Sequence, residues 1–255
     1  MLILAVIFSI FAVTSNRYID EMGNVSTGIM STRKLTDNRK IWSGTLTEDE
    51  LLKALIQHKN AMNQSVEEQD AHYGTTLQPV DEITDFMISV MTPDSQYDFS
   101  ILNQLSENNI QNFYDIYQKN MKMMSEEYGK TSVQKKYLEK KYSKIKLPLN
   151  YAPFTSWDTM IMYGETYSII LAIIVGFICA GIFADDFQTK ADAVFFSAKY
   201  GRTKAVKTKI IAGMTTTTII YWSGILLLSI ICFSIMGISG INTPYQIREA
   251  YSIYV

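Results

Sequence analysis

YSIILAIIVGFICAGIFA, residues 167–184, runs for 18 side chains without a single charge. About 20 predominantly apolar residues cross about 30 Å of hydrocarbon as a helix, so this stretch reads as a membrane span. Beyond it, charges cluster over residues 185–209 and then vanish again over residues 210–246. The second apolar run, residues 210–238, is softened at its start by Thr215 to Thr218. Such hydroxyls bond to helix carbonyls one turn back and are tolerated in lipid, so this run reads as another span. A buried core helix is the competing explanation of each run; length, lack of charge and pairing of the two favour spans.

The apolar start, residues 1–15, lacks the basic residues that open a secretory signal, which leaves part of a first transmembrane helix as the preferred reading and a signal peptide as the alternative. A hydrophobic content of 47% and a mean hydropathy of +0.04 conceal this uneven distribution. The loop at 185–209 holds Lys190, Lys199, Arg202, Lys204, Lys207 and Lys209 against Asp185, Asp186 and Asp192. Basic loops stay in the cytoplasm, which places residues 16–165 outside and the N-terminus inside.

The intervening segment is long enough for its own core, and its pattern is helical. Thr47 and Glu50 have capping-box spacing and open a helix toward Met62. Ile83, Phe86, Met87 and Val90 share a helix face ended by Pro93. Residues 98–128 read as the longest helix and residues 131–145 as a shorter basic one stopping at Pro148, whereas residues 18–44 show no confident pattern. With 21 acidic against 16 basic residues over 17–165, the segment has no electrostatic footprint for nucleic acid. Cys179 and Cys232 both fall in the spans, so no disulfide staples the segment.

No HExxH, GxSxG, Walker A or CxxC pattern occurs. His58 and His72 are the only histidines; Asp70 and His72 as a metal pair, and the adjacent carboxylates Glu67/Glu68 and Glu126/Glu127, read as incidental surface groups. No active site, metal or cofactor is expected in this chain. The loop is more informative: Phe187, Ala191, Val194 and Ala198 recur at helical spacing, with Phe195 adding breadth and Gly201 placed as a stop. Two uses of such a helix stay open, resting on the bilayer surface or docking a cytoplasmic partner through Phe195 and Phe196.

FADDFQTKADAVFFSAKYGRTKAVKTKIIAG, residues 183–213, resembles the loop between the second and third spans of bacterial type 2 ABC exporter permeases (the ABC-2 family). The family pattern of Phe, acidic pair, hydrophobic helix ending in Ser or Thr, then Gly-Arg before a lysine corresponds to Phe183, Asp185, Asp186, Val194, Phe195, Phe196, Ser197, Gly201, Arg202 and Lys209. Where the family often has Gly-Thr, this chain has Lys190-Ala191, which suggests a continuous helix in place of a turn. Trp157 matches the aromatic approach to the second span. Such permeases usually have six spans, so three spans here imply a piece of a longer protein or a reduced subunit.

The resemblance implies an export subunit of the bacterial cell membrane without its own ATPase site. ATP would be used by a cytoplasmic ABC ATPase gripping Asp185, Asp186, Phe187 and the helix that follows, and a second copy or related permease would complete the path. Membrane lipid is the other expected partner. The expected organisation is an all-α membrane protein with a partial first transmembrane helix at 1–15, a mainly helical extracytoplasmic domain at 16–165, spans at 166–184 and 210–240, a coupling-like loop at 185–209 and an extracytoplasmic tail at 241–255. The class that competes with a permease is a membrane-anchored sensor or binding protein acting through its exterior domain. Nothing in residues 17–165 selects among peptide, lipid, drug or polysaccharide as cargo.

Overall fold

The structure, a computed structural model, describes residues 2–63, 73–93, 98–188, 197, 204 and 206–253, with the backbone alone at 178, 179, 182, 183 and 185–188. The chain divides into two units: residues 1–14 with 158–237, and residues 15–157 with 238–255.

Among the described residues, three long helices make up the first unit: α1 (Leu2–Thr14), the part of a long helix α9 (Thr155–Gln188) from residue 158 onward, and α10 (Val206–Met236). Thr155–Phe177 and Val206–Met236 are long and apolar enough to cross a membrane. Only 17% and 22% of their most apolar windows are buried, whereas a soluble protein would have to bury most of such a helix. Packing inside the unit uses small residues. A Cβ added to Gly224 would lie 1.9 Å from the Tyr167 hydroxyl oxygen, so α9 and α10 approach closely at that point. Phe8 of α1 meets Tyr163 and Tyr167 edge-on at centroid distances of 6.4 and 6.2 Å, and Ala12 and Val13 close on Leu228, Cys232 and Met236.

The second unit is a helical domain with two short antiparallel ribbons. β1 (Arg17–Ile19) pairs with β2 (Val25–Thr27) in the register Tyr18 to Ser26. The turn between them is closed by Asp20, whose carboxylate accepts from the Met22 and Asn24 amides at 2.9 Å each, and by Gly23 at φ 78°. Then come α2 (Ile29–Lys40), β3 (Gly44–Thr45) and α3 (Glu48–Met62). These elements supply the pattern missing from residues 18–44: the strands are too short for alternation to register, and the buried face of α2 carries Ser31, Thr32 and Thr36 beside Leu35.

Thr47 caps α3 by accepting from the Glu50 amide at 3.4 Å, while the Glu50 carboxylate turns to Lys53 at 2.5 Å, so half of the expected capping box forms. α4 (Asp81–Met91) agrees closely with its sequence signal and is the central helix of the core, with Ile83, Phe86, Met87, Ile88 and Val90 fully buried. The long helix expected over 98–128 is instead three: α5 (Ser100–Gln104), α6 (Glu107–Gln111) and α7 (Phe113–Tyr128). Leu105 is extended at ψ 130°, and Ser106 forms a capping box with Asn109, which starts a new helix where the apolar stripe alone would continue the old one. α8 (Ser132–Tyr142), opened by a Thr131/Gln134 capping box, buries none of its residues; β4 (Asn150–Tyr151) then returns to pair with β3.

The last segment, expected as a tail, is part of this core. Ile247, in a 3-10 turn (Tyr245–Ile247), and Ala250 are 1% and 2% exposed. Tyrosines fasten it: Tyr117 donates to the Ala250 carbonyl, Tyr142 to that of Tyr251 at 3.0 Å, and Tyr251 to that of Val90 at 2.7 Å. Each hydroxyl satisfies a carbonyl that would otherwise be costly to hide from water. Phe86, at the middle of the core, meets Phe113 and Tyr117 edge-on at 5.5 and 5.8 Å.

Candidate functional site

The expected coupling residues divide unevenly. Asp185, Asp186 and Phe187 lie on helical backbone in the last turns of α9, and Ser197 is helical and exposed. Val194, Phe195, Phe196, Gly201 and Arg202 lie outside the described residues, as do Glu67, Glu68, Asp70 and His72. Among the described residues no group of three His, Cys, Asp or Glu could hold a metal ion. His58 faces the core from α3, where burial, and then the Lys59 charge, holds its pKa below the ordinary 6.5. It is therefore a neutral core histidine at physiological pH.

Among the described residues, the most buried ion pairs are in the second unit, around Arg39. The last turn of α2 presents this guanidinium to the first turn of α4, where Asp81 and Glu82 suit the positive end of the helix dipole. Arg39 donates to Asp81 at 2.6 Å and to Glu82 at 2.8 Å, and also to the Thr155 hydroxyl. Glu82 accepts further from Tyr151 and Thr155, each at 2.8 Å. Gln78, just before α4, donates to the Arg17 carbonyl at 3.1 Å and accepts from the Ile19 amide at 3.2 Å.

The three charged side chains are 12%, 27% and 9% exposed, so the electrostatics are those of an interior. Burial raises the pKa of Glu82 and of Asp81, and the facing Arg39 opposes that rise in both. Burial likewise works against the charge on Arg39, but Glu82 and Asp81 outweigh it and hold the guanidinium above its ordinary range. Tyr151, buried and donating to Glu82, is kept neutral. One cation thus faces two anions with every partner hydrogen-bonded, an arrangement that locks geometry more than it prepares proton transfer. It ties the chain just after α1, at Arg17 and Ile19, to Thr155, the residue that opens α9. Sequence reading missed it because Arg39 falls in the patternless segment; the legible trace was the Asp81-Glu82 pair at a helix start.

Several clefts open on the same unit. One of about 370 Å³ lies between α7 and α8, lined by Met121, Lys122, Glu139, Tyr142 and Ile145. Another of about 710 Å³ lies between the 144–149 segment and residues 241–246. Compared with known families, with curated proteins and with solved structures, the chain gives no match.

Proposed function

We propose that the chain is the membrane-spanning permease subunit of an ATP-driven exporter of the ABC-2 type, placed in the bacterial cell membrane. The observation that carries the reading is the motif at 183–213, an acidic pair and an amphipathic stretch ending in Gly201-Arg202, set between two helices long and apolar enough to cross a membrane. Chain connectivity supports it. Residues 15–157 and 238–253 belong to one unit, so a membrane crossed by α9 and α10 leaves that unit on one side and the basic segment 189–205 on the other. In this reading the positive-inside rule makes that segment cytoplasmic and the folded unit extracytoplasmic.

In this reading the chain hydrolyses nothing and binds no cofactor of its own. A cytoplasmic ATPase engages Asp185, Asp186, Phe187, Val194, Phe195, Phe196, Ser197, Gly201 and Arg202, and its closure moves the attached spans as rigid bodies against a second permease. The spans carry no charge over 166–184 and 210–246, whereas an ion-coupled transporter relies on intramembrane charge, so an external motor fits better. The test is a detergent pull-down of the tagged protein, wild type against Phe195→Ala/Phe196→Ala. An ATPase that elutes with wild type and is lost from the double variant supports the reading; folded wild type eluting without any ATPase overturns it.

A second reading is a membrane-anchored binding protein, favoured by a self-contained exterior unit with clefts of 370 to 710 Å³. It differs in predicting a ligand for that unit and indifference to the Phe195/Phe196 change.

A further inference from the structure

The cleft of about 710 Å³ is lined by lysines, apolar residues and neutral polar residues. Two lysines, Lys144 and Lys146, stand on one wall, and no acidic residue lines it. Both are exposed, and neither has an ion-pair partner among the described residues. The opposite wall is Ile241, Asn242, Thr243, Pro244, Tyr245 and Gln246, with Ile241 59% exposed. The acid nearest this wall along the chain, Glu249, is engaged by the Tyr245 hydroxyl at 3.1 Å, Arg248 lies 5.7 Å from the Tyr245 ring, and Glu139, the acid nearest the lysines along the chain, lines the smaller cleft.

Hydrogen bonds and close packing fix the wall formed by residues 241–246. Thr243 accepts from the Ala152 amide and donates to its carbonyl, each at 2.8 Å. Gln246, 2% exposed, donates to the Ser252 carbonyl at 3.0 Å, and Leu149 and Ile247 below are 1% exposed. At φ 87° Gly240 brings the backbone so close to Pro153 that an added Cβ would lie 2.6 Å from its carbonyl oxygen. The cleft is therefore formed in advance of any occupant.

Its position along the chain narrows the occupant. Ile241 follows Met236, the last residue of α10, by five residues. Five residues reach at most about 17 Å, and Gly237 and Gly240, at φ 82° and 87°, turn the chain instead of extending it. Unpaired ammonium groups, an exposed isoleucine and a tyrosine next to the end of an apolar helix match the two chemistries of an anionic amphiphile at the bilayer surface.

We infer that this cleft binds an anionic phospholipid, its headgroup phosphate between Lys144 and Lys146 and the upper part of an acyl chain along Ile241 and Tyr245. The site anchors the extracytoplasmic unit to the outer leaflet. The inference rests on the membrane-spanning part of the proposed function and is independent of any ATPase. Resistance of the chain to alkaline extraction from membranes tests that part separately.

The experiment is native mass spectrometry of the full chain in detergent, titrated with short-chain phosphatidylglycerol or phosphatidylcholine. Wild type should take up the first lipid at least tenfold more tightly in one site, and Lys144→Glu/Lys146→Glu should bring the two to parity. Ile241→Ser should weaken both lipids and keep the preference, and free glycerol 1-phosphate at the same concentration should not compete. Both lysines are exposed, so the double variant should fold; should its thermal midpoint fall, Lys144→Gln/Lys146→Gln is read in its place with the same expectation. Equal uptake of the two lipids by wild type, a preference that survives loss of both lysines, or full competition by glycerol 1-phosphate each overturns the inference, the last by making the site one for a soluble anion.

Discussion

Removing Arg39 should destabilise the second unit strongly at neutral pH and much less in acid. Arg39→Met keeps an unbranched apolar stem like that of arginine but leaves Asp81 and Glu82 facing each other without a cation, along with a Thr155 hydroxyl that loses its donor. Breaking a buried pair from one side costs about 3–5 kcal/mol, a fall in Tm on the order of 10 °C for a unit of this size. The sign of the pH dependence follows from burial, which already lifts both carboxyls above their ordinary values of 3.8 and 4.5, with Arg39 opposing the lift. Without Arg39 both folded-state pKa values rise further. A carboxyl raised on folding costs stability above its unfolded pKa, increasingly until the pH passes the folded value, so the variant should regain stability as pH falls from 8 toward 5.

Wild type should show the same slope, but shallower. The assay is thermal unfolding of the full chain in detergent by tryptophan fluorescence, in a Trp222→Phe background that leaves Trp42 and Trp157 as reporters of the unit. Adding Asp81→Asn and Glu82→Gln to Arg39→Met removes the stranded charges and should flatten the pH profile. A loss under about 1 kcal/mol at pH 8, or an equal loss at pH 5 and pH 8, would refute the reasoning.

Tyr117→Phe should cost about 1–3 kcal/mol, because the buried Ala250 carbonyl loses its donor, and the first consequence should be faster proteolysis of residues 238–253; an unchanged cleavage rate counts against their place in the core. Gly224→Ala should destabilise the helix pair by about 1–3 kcal/mol, since the new methyl would sit 1.9 Å from the hydroxyl oxygen of a fully buried Tyr167. Tyr167→Ala should relieve that strain, so the double variant should be more stable than the sum of single losses, read from Trp222 fluorescence in detergent unfolding; strict additivity would show that the two residues do not meet.

Local chemistry was legible where a signal was strong and uninterrupted. The two apolar runs, the Thr47 cap and the face of α4 all follow from spacing alone, since a helix repeats every few residues and lipid or core selects the same face each time. The stripe over 98–128 misled because Leu105 and Ile110 keep apolar spacing across a break that Ser106 and Asn109 make by hydrogen bonding. α2 was invisible for the opposite reason, a buried face built largely of serine and threonine.

The loop motif was readable as sequence, and the candidate site in the second unit was not. Arg39, Asp81, Glu82, Tyr151 and Thr155 span more than a hundred positions and converge only when α2, α4, β4 and the start of α9 are packed. The lysine-lined cleft likewise joins residues 144–149 to residues 241–246. By itself the sequence determined where apolar length suffices to cross a bilayer and which segments are helical, because both depend on neighbours along the chain. Tertiary structure alone decided that the segment after α10 completes the core of the second unit and that Arg39 is its buried cation, because a carbonyl such as that of Ala250 shows no preference in sequence for the tyrosine that will reach it.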